Sequence, residues 1–380
     1  MVRRAQGGAV TPRVWLVAHN EDGAGWRVVR AQIVGATGYG GVGMAELLSR
    51  HSEIEIGSLL AKSDVGRPLS DFYPHLRSFC DQVVEDAAPE RIGEDADLVI
   101  FATPDGVGMT HAARLLEAGR RVVDYSGDFR FPTAALYARY AQTHPSVGGR
   151  PHAAPELLEQ SVYGVPELHR ERLRGARLVG NPGCFAVAMI LALAPAVEAG
   201  LIDPRSLIVD GKTGVSGAGK KPSATNHFPE RNESVAPYRV ANHQHLFETQ
   251  TALEALAAEP ICLTFVPHVV PTTRGIICTC YASLRSDVAP EAVQAVYEAY
   301  YAEEPFVRVL PSGLTPGPKA VLGSNLCDVS TVLDRPNGRL VMVGSIDNLL
   351  KGQAGVALQN INLMFGFPET MGLERVPIYP

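Results

Sequence analysis

Residues 28–51, which read VVRAQIVGATGYGGVGMAELLSRH, decide the fold of this chain. The first seven of them are mostly apolar and rich in valine, as in a buried strand. A glycine-rich turn, G-x-x-G-x-x-G from Gly35 to Gly41, follows, and apolar residues at helical spacing continue to His51. Glycines in such a turn let backbone N–H groups approach a pyrophosphate, whose charge a helix N-terminus stabilises. This strand–turn–helix unit therefore predicts a dinucleotide-binding domain.

The rest of the first half alternates strands with helices. The sequence predicts further strands at 53–61, 97–102 and 121–126, and a helix at 105–119 that ends at glycine. Such alternation implies right-handed crossovers and a parallel sheet. We therefore expect an α/β fold with a Rossmann-type, doubly wound parallel sheet.

The second half has a different pattern. An almost wholly apolar helix is predicted at 185–200, so it should be buried on all sides. One turn, Pro271–Arg274, separates two strand-like runs, and a second turn, Arg335–Gly338, separates another two. The predicted strands are 207–210, 261–270, 275–284, 326–333 and 339–345, and a last helix is predicted at 354–365. Strands joined by hairpins imply a mixed or antiparallel sheet, as in an α+β domain.

The composition is that of a globular protein. The chain has 380 residues, of which 46% are hydrophobic and 19% charged, which argues against a disordered chain and favours about two domains. The net charge is −6, and no cluster of basic residues occurs, so nucleic acid is not an expected partner. The sequence has no long apolar run either, so a membrane is not an expected partner. Six cysteines are too few for a disulfide framework and favour a reducing compartment. Residues 1–31 are expected to form a flexible extension.

The end of the second predicted strand indicates which dinucleotide binds. NAD sites usually carry an acidic residue there, which bonds the ribose 2′-hydroxyl. This chain instead has Lys62 and Ser63, a cation and a hydroxyl that suit a 2′-phosphate. We therefore expect NADP, although Asp64 is close enough to leave NAD open.

One cysteine has the setting of a nucleophile. Cys184 follows Gly180-Asn-Pro-Gly and directly precedes the apolar helix. At that position the helix dipole and free N–H groups lower the pKa of a thiol and can hold an oxyanion. Four others lie in predicted strands and are expected to be inert: Cys262, Cys278, Cys280 and Cys327.

A base for that thiol is expected in the segment 242–248, NHQHLFE. Either His243 or His245 can act as general acid and base, with Glu248 as a nearby anion. No cysteine or carboxylate cluster completes a metal site with them, so no metal is expected. Two weaker candidates for the base are His227 and His268.

Two cationic segments can hold an anion. The loop 211–221, GKTGVSGAGKK, combines four glycines with three lysines, so backbone N–H groups and ammonium groups are available together. Arg274 lies in the turn between two predicted strands and is a second possible anchor.

Taken together, these motifs resemble the N-acetyl-γ-glutamyl-phosphate reductase family of arginine biosynthesis, which belongs with the semialdehyde dehydrogenases. The resemblance covers residues 32–380. It rests on motifs that occur in order: the glycine-rich turn, Tyr125-Ser-Gly-Asp-Phe-Arg130, Asn181-Pro-Gly-Cys184, Lys212–Gly219, His243-Gln-His245 and Ile346-Asp-Asn-Leu-Leu-Lys-Gly352.

The resemblance implies an activity and a set of residues. The activity would be the NADPH-dependent reduction of N-acetyl-L-glutamyl 5-phosphate to N-acetyl-L-glutamate 5-semialdehyde, with release of phosphate, through a cysteine thioester. Cys184 would be the nucleophile and His243 the acid and base. Cofactor-binding residues would be Gly35, Thr37, Gly38, Tyr39, Gly40, Lys62, Ser63, Ser216, Gly217 and Asn348. The expected substrate-binding residues are Ser126, Arg130, Asn181 and Arg274.

The resemblance also implies the organisation of the molecule. An NADP-binding domain would comprise residues 32–183 and 351–380, and a catalytic and oligomerisation domain residues 184–350. The chain would form a cytoplasmic homo-oligomer, either a dimer or a tetramer.

Other functions remain open at this point. The substrate could be a related acyl phosphate, either β-aspartyl phosphate or a carrier-bound aminoadipyl phosphate, which side-by-side turnover would separate. A cysteine hydrolase or acyltransferase would use Cys184 and a histidine without a cofactor, but the glycine-rich turn argues against it. A dinucleotide sensor would bind NADP without catalysing reduction.

Overall fold

The computed structural model describes residues 28–257 and 259–379, and the first of its two sheets is fully parallel. Its seven strands are β1 (Val29–Val34), β2 (Ile54–Ala61), β3 (Val84–Asp86), β4 (Leu98–Phe101), β5 (Arg121–Asp124), β6 (Val162–Tyr163) and β7 (Leu178–Gly180). They lie in the order β3-β2-β1-β4-β5-β7-β6. The helices of this part are α1 (Tyr39–Leu48), α2 (Leu69–Phe72), α3 (Gly108–Glu117), α4 (Ala134–Thr143) and α5 (Pro166–Leu173). The predicted Rossmann-type sheet is confirmed.

The second sheet is mixed. Its strands are β8 (Leu207–Thr213), β9 (Ala236–Pro237), β10 (Leu263–Val269), β11 (Ile276–Ser283), β12 (Val307–Val309), β13 (Cys327–Asp334) and β14 (Arg339–Ile346). They lie in the order β12-β13-β14-β11-β8-β10-β9. The remaining helices are α6 (Cys184–Glu198), α7 (Phe228–Arg231), α8 (Gln244–Ala257), α9 (Pro290–Tyr300) and α10 (Gly355–Phe365). A mixed sheet was predicted and is confirmed.

One predicted hairpin is wrong. Strands β10 and β11 do not pair with each other, because β8 lies between them, parallel to β10 and antiparallel to β11. The turn after β10 crosses the end of β8: the Val270 N–H donates to the Thr213 carbonyl, and the Gly214 N–H donates to the Gly275 carbonyl. The other predicted pair, β13 and β14, is a hairpin, and Gly338 takes the positive φ of +58° that its turn requires.

Helix α6 forms the centre of the second core. Its residues from Phe185 to Val197 are all buried. They pack on β11, β13 and β14 and between α8 and α9. The prediction of a helix buried on all sides is confirmed, and it places residue 184 at the helix N-terminus beneath the sheet's edge.

The first described strand and the last described helix both belong to the part of the molecule built on the parallel sheet. Strand β1 begins at Val29, and Ala31 is fully buried and pairs with Ile56. The flexible extension was expected to span residues 1–31, but residues 29–31 belong to β1. Residues 1–27 lie outside the described part of the chain. Helix α10 returns to pack on α1 and α5. Among the described helices, none is both long and apolar enough to cross a membrane.

Candidate active site

Cys184 is the first residue of α6, and the turn before it passes close to other groups. An ideal Cβ on Gly183 would lie 2.2 Å from Nε2 of His245, and one on Gly180 would lie 2.1 Å from the Phe129 carbonyl oxygen. Both positions therefore require glycine for the chain to pass. The placement of the thiol at the start of the buried helix agrees with the sequence prediction.

A π-helical turn, Leu350–Ala354, packs against the cysteine from the other side. An ideal Cβ on Gly352 would lie 2.7 Å from Cβ of Cys184. The side-chain amide of Asn181 donates to the Gln353 carbonyl at 3.1 Å. Two motifs far apart in the sequence thus form one tight contact at the thiol.

A buried carboxylate holds the cysteine turn. Glu248 of α8 accepts hydrogen bonds from the Gly183 N–H at 2.7 Å, from the Tyr163 hydroxyl at 2.6 Å and from Nη1 of Arg130 at 3.0 Å. Arg130 also donates from Nε to the Asn181 carbonyl at 2.7 Å. No bond between Glu248 and either neighbouring histidine occurs among the described residues, so this anion positions the turn rather than a base.

The thiol of Cys184 resists ionisation. Desolvation raises its pKa to about 11; the Phe185 N–H and the positive charge of Arg130 act in the opposite direction, and the negative charge of Glu248 adds to the rise. The expectation that the helix N-terminus lowers this pKa is therefore wrong, because burial outweighs the helix terminus. Such a thiol needs a base to remove its proton at neutral pH.

Two neutral imidazoles line one cavity together with the thiol. Nδ1 of His243 accepts from the His245 N–H at 3.2 Å, and Nε2 of His243 lies 3.4 Å from the Tyr238 hydroxyl. Burial lowers the pKa of His243 to about 3 and that of His245 well below its usual value, and the positive charge of Arg239 acts in the same direction on both. Both rings are therefore uncharged at neutral pH, and the same burial makes them weaker proton acceptors than a free imidazole.

The two weaker histidine candidates lie elsewhere. His227 lines a third cavity together with Arg274; this cavity adjoins the two that contain Cys184 but does not itself include the cysteine. His268 lies on β10, 3.1 Å from the carboxylate of Asp210. Neither lines a cavity that contains Cys184.

Two cavities share Cys184 in their walls. The larger cavity, of about 690 Å³, also contains His243, His245 and Tyr238. The smaller cavity, of about 350 Å³, brings the thiol together with these cofactor candidates: Gly38, Tyr39, Gly40, Ser216, Gly217 and Asn348. A reacting group at the sulfur can therefore be reached from both sides of the site.

The glycine-rich turn has the shape that a dinucleotide needs. Gly35 has φ of +89°, and an ideal Cβ on it would lie 2.4 Å from the Ala102 carbonyl oxygen. A Cβ on Gly38 would meet nothing closer than 3.5 Å, so the backbone is accessible there. Thr37 is buried behind the turn, and its carbonyl accepts from the Tyr73 hydroxyl at 2.7 Å. The residues present thus fit a pyrophosphate at the N-terminus of α1.

The glycine-rich loop 211–221 and Asn348 both line the smaller cavity. The Asn348 amide donates to Oγ of Ser216 at 2.9 Å. Nζ of Lys220 lies 3.0 Å from the Asp64 carboxylate at the end of β2. Lys62 and Ser63 are exposed next to Asp64, outside both cavities. Asp64, which had left NAD open as an alternative cofactor, is thus paired with Lys220.

The four substrate candidates are divided between different places. Arg130 and Asn181 line the smaller cavity with Cys184. Ser126 is buried outside both cavities, where its Oγ accepts from the Asp128 N–H at 3.1 Å. Arg274 forms an ion pair with Asp347 at 2.9 Å and lines the adjoining cavity of His227, which does not include Cys184. The structure therefore brings two of the four to the thiol.

Sequence reasoning missed the cationic wall of the larger cavity. Arg231 and Arg239 both line it. Arg239 has φ of +46°, which is rare for a residue with a side chain, and it donates to the Thr143 carbonyl at 2.6 Å. The only local signal was the Tyr238-Arg239 pair directly before the histidine segment.

No metal-binding arrangement is found in the described part of the chain. Within residues 28–257 and 259–379, no three His, Cys, Asp or Glu side chains come together in a group that could hold an ion.

Comparison with known proteins identifies the family. The description "Semialdehyde dehydrogenase, NAD binding domain" matches residues 30–176, and "Semialdehyde dehydrogenase, dimerisation domain" matches residues 184–348. The N-acetyl-gamma-glutamyl-phosphate reductase of Syntrophobacter fumaroxidans is 44% identical over 353 residues, which cover 93% of this chain and 100% of that protein. The reductase of the same name from Geobacter metallireducens is 42% identical, with the same coverage.

The chain belongs to the N-acetyl-γ-glutamyl-phosphate reductases of the semialdehyde dehydrogenase family. The resemblance of the sequence motifs is thereby confirmed. The matched NAD-binding domain and the geometry of the glycine-rich turn make this family member a nicotinamide-dinucleotide-binding protein.

Solved semialdehyde dehydrogenases share the fold. The aspartate semialdehyde dehydrogenase II of Vibrio cholerae, complexed with ASA, has a TM-score of 0.67 and 17% identity, covering 90% of this chain and 99% of that one. The Candida albicans enzyme with NADP has a TM-score of 0.61 and 18% identity, covering 89% and 98%. At these identities the likeness to other semialdehyde dehydrogenases shows the fold alone.

Proposed function

We propose that this chain reduces N-acetyl-L-glutamyl 5-phosphate to N-acetyl-L-glutamate 5-semialdehyde with NADPH, releasing phosphate, through a thioester on Cys184. The reaction and its place in arginine biosynthesis are supported by relatives of that name at 42% and 44% identity. The proposed chemistry rests on the position of the Cys184 thiol, which lies in the walls of two cavities. One cavity contains the dinucleotide turn, and the other contains the histidines.

The protein's own groups account for the acyl transfer. His243 takes the proton of the Cys184 thiol in the same step as the sulfur attacks the carbonyl carbon, and the negative charge of the bound acyl phosphate raises the pKa of His243 enough to hold that proton. The carbon–oxygen bond to phosphate then breaks, phosphate leaves, and a thioester remains on the cysteine. NADPH, when bound, supplies the hydride that reduces this thioester. The imidazolium of His243 holds the proton that the sulfur needs when the aldehyde departs.

The choice of NADPH over NADH rests on the end of β2. Lys62 and Ser63 are exposed there, with a cation and a hydroxyl available to a 2′-phosphate. Asp64, which would otherwise repel that phosphate, is paired with Lys220 at 3.0 Å. These charges favour a phosphorylated ribose.

The substrate carries a carboxylate as well as a phosphate, so it needs cationic partners. Arg231 and Arg239 line the larger cavity beside His243 and Cys184. The guanidinium of Arg130 is neutralised by an ion pair with Glu248, whereas Arg231 and Arg239 donate to carbonyl oxygens and have no carboxylate partner among the described residues. We therefore assign anion binding in the larger cavity to Arg231 and Arg239, with Asn181 and Arg130 supporting the cysteine turn.

The test runs the reaction in reverse. N-acetylglutamate semialdehyde, phosphate and NADP⁺ are mixed with the purified protein, and the absorbance of the reduced cofactor is followed. The unmodified protein should give phosphate-dependent reduction, and Cys184→Ser should lose more than about 10³-fold of it. The exposed Cys262 offers a matched control, since Cys262→Ser should keep the activity.

Three results would contradict the proposal. Near-normal turnover by Cys184→Ser with an intact fold would exclude the thioester. Faster turnover of aspartate semialdehyde or of a carrier-bound substrate would assign a different acyl group. Reduction without phosphate would exclude an acyl phosphate as the partner of the thiol.

A further inference from the structure

A fully buried lysine forms part of the π-helical turn. Lys351 has no solvent exposure, and its Nζ lies 2.6 Å from Oε1 of Glu167, which is itself 1% exposed. Lysine is almost never fully buried unless it is paired, because removing an ammonium group from water is costly. A buried pair of opposite charges often adds little to the stability of a fold, so a role beyond stability has to be considered.

The ammonium group of Lys351 also bonds to α10. Its Nζ donates to Oε1 of Gln359 at 2.7 Å. Gln359 is held in turn, because its Oε1 accepts from the Asn325 amide at 3.0 Å and its Nε2 donates to Oε1 of Glu369 at 2.7 Å. Lys351, Gln359 and Asn325 are buried, so water does not compete for these bonds and the lysine side chain has one defined position.

Helix α5, which carries Glu167, is a fixed support for the lysine. Arg170 of the same helix forms ion pairs with Glu304 and with Glu369, the latter at 2.8 Å between Nε and Oε2. Helix α5 also packs on α10. Lys351 therefore connects the π-helical turn to two helices that are themselves held together.

The turn that contains Lys351 has an unusual shape. The Ala354 N–H donates to the Leu349 carbonyl, five residues earlier, at 3.1 Å, as in a π-helix rather than an α-helix. Such turns are rare and occur frequently at functional sites. Here the residue next to the lysine, Gly352, is the one that packs against Cys184. The lysine is thus bonded into the interior directly beside the contact with the thiol.

We propose that Lys351 is a positioning residue for the thiol. Its ammonium group, bonded to Glu167 and Gln359, holds the π-helical turn against the first residue of α6, so that the sulfur of Cys184 stays in the walls of both cavities. Lys351 is not among the residues that line these cavities, so it acts only through the turn. The anchoring is a property of the fold, and its value for catalysis rests on the proposed function.

The test separates the buried charge pair from the position of the sulfur. Lys351→Met leaves the Glu167 carboxylate buried without its partner, so this variant should unfold at a lower urea concentration. Lys351→Met/Glu167→Gln removes both charges and should unfold near the urea concentration of the unmodified protein. In neither variant can residue 351 bond the turn to α5 or α10.

Turnover is measured with N-acetylglutamate semialdehyde, phosphate and NADP⁺. We expect kcat of both Lys351 variants to fall about 100-fold, because a displacement of about 1 Å at a reacting atom has an effect of that size. Each KM should change less than about threefold, since the groups that line the cavities remain.

A second readout follows the sulfur without substrate or cofactor. Alkylation of Cys184 by iodoacetamide is measured with the exposed Cys262 replaced by serine, and the labelled peptide is identified by mass spectrometry. The π-helical turn packs against the cysteine, so its release should reduce the desolvation that suppresses the thiolate. Alkylation in both Lys351 variants should therefore be about tenfold faster at neutral pH.

The matched control is Arg308→Met. Asp328, the partner of Arg308, is 2% exposed, so this substitution also leaves a buried carboxylate without its cation. Arg308 lies on β12, at the edge of the mixed sheet, and its hydrogen bonds within the described ranges go to Asp328 and to the Ala320 carbonyl. The control should unfold at a lower urea concentration but keep kcat and the alkylation rate of the unmodified protein.

The outcomes decide between a positioning role and a purely structural one. If Lys351→Met/Glu167→Gln regains kcat and slow alkylation together with its stability, Lys351 only stabilises the fold and the proposal is overturned. A rise in KM with unchanged kcat would also overturn it, because the lysine would then act on binding. If the unmodified protein shows no phosphate-dependent reduction, the proposed function fails. Alkylation then decides alone whether Lys351 holds the sulfur, and unchanged rates in both Lys351 variants would refute the anchor as well.

Discussion

At the scale of single residues, the chemistry depends on how Cys184 loses its proton. With a pKa raised to about 11, about 10⁻⁴ of the thiol is ionised at pH 7. Because the pKa lies above the assay range, raising the pH should increase the thiolate in proportion. We predict that the rate of alkylation by iodoacetamide rises about tenfold per pH unit between pH 7 and pH 9, without a plateau.

The measurement needs a background free of other reactive thiols. Cys262 is exposed, whereas Cys278, Cys280 and Cys327 are buried, so the Cys262→Ser variant is used and labelling is located by mass spectrometry. A small free thiol measured alongside should level off near its own pKa of about 8.5. A plateau for Cys184 below pH 8 would show that the helix N-terminus, and not burial, controls this thiol.

The sequence predicted those site residues whose role depends on a short motif. Cys184 and the glycine-rich turn carry their role in short motifs, because a helix start and a close backbone approach need particular residue types. The pKa of Cys184 was not predictable, since it depends on desolvation by α8 and the π-helical turn.

At the scale of elements, α8 holds the start of α6 through Glu248. Replacing Glu248 by Ala removes three hydrogen bonds and leaves the guanidinium of Arg130 buried without its carboxylate. We predict a loss of about 3–5 kcal/mol in the free energy of unfolding, measured by urea denaturation. Tyr163→Phe removes only one of the bonds and should cost about 1.5–3 kcal/mol. Equal losses in the two variants would show that the ion pair contributes nothing.

The contact between the π-helical turn and α6 allows a sharper test of geometry. In Gly352→Ala the added Cβ would lie 2.7 Å from Cβ of Cys184, so the cysteine has to move. A displacement of about 1 Å at a reacting group can cost 10²-fold in rate, and we predict a fall of about that size in kcat. Gly317→Ala is the matched control, because nothing lies within 4 Å of its Cβ. A fully active Gly352→Ala variant would mean that the contact does not set the position of the sulfur.

The elements themselves followed from the sequence because their patterns are local. Strand β1, the turn and α1 were predicted to within a few residues, and so was α6. The hairpin predicted between β10 and β11 was wrong, because turn residues indicate a change of chain direction and not which strand lies alongside. Strand β8 lies between them, and its pairing with segments far away in the sequence buries Leu207 and Val209 under α6.

At the scale of the whole molecule, the mixed sheet has helices on one face only. Alternate residues of β8, β10 and β11 point to the other face and stay partly exposed. Among them Ile208 is 42% exposed, and it pairs with Tyr281 across the strands. The face is of mixed character, since Val266 and Ile277 lie beside Asp210, Lys212 and His268, and an open sheet face of this composition is compatible with a subunit interface. The same residues fall within the part of the chain matched to a dimerisation domain.

We predict that two copies of the chain associate through this face. Ile208→Lys places an additional charge on this face, and desolvation of that ammonium on association should raise the dimer dissociation constant at least about 100-fold. Sedimentation velocity at micromolar concentration should then show a monomer in place of a dimer. The control is Phe79→Lys, an exposed aromatic residue next to the parallel sheet, which should leave the dimer intact because it lies outside the mixed sheet. If the Ile208→Lys protein still sediments as a dimer, the copies associate through another surface, and the uncovered face needs a different partner.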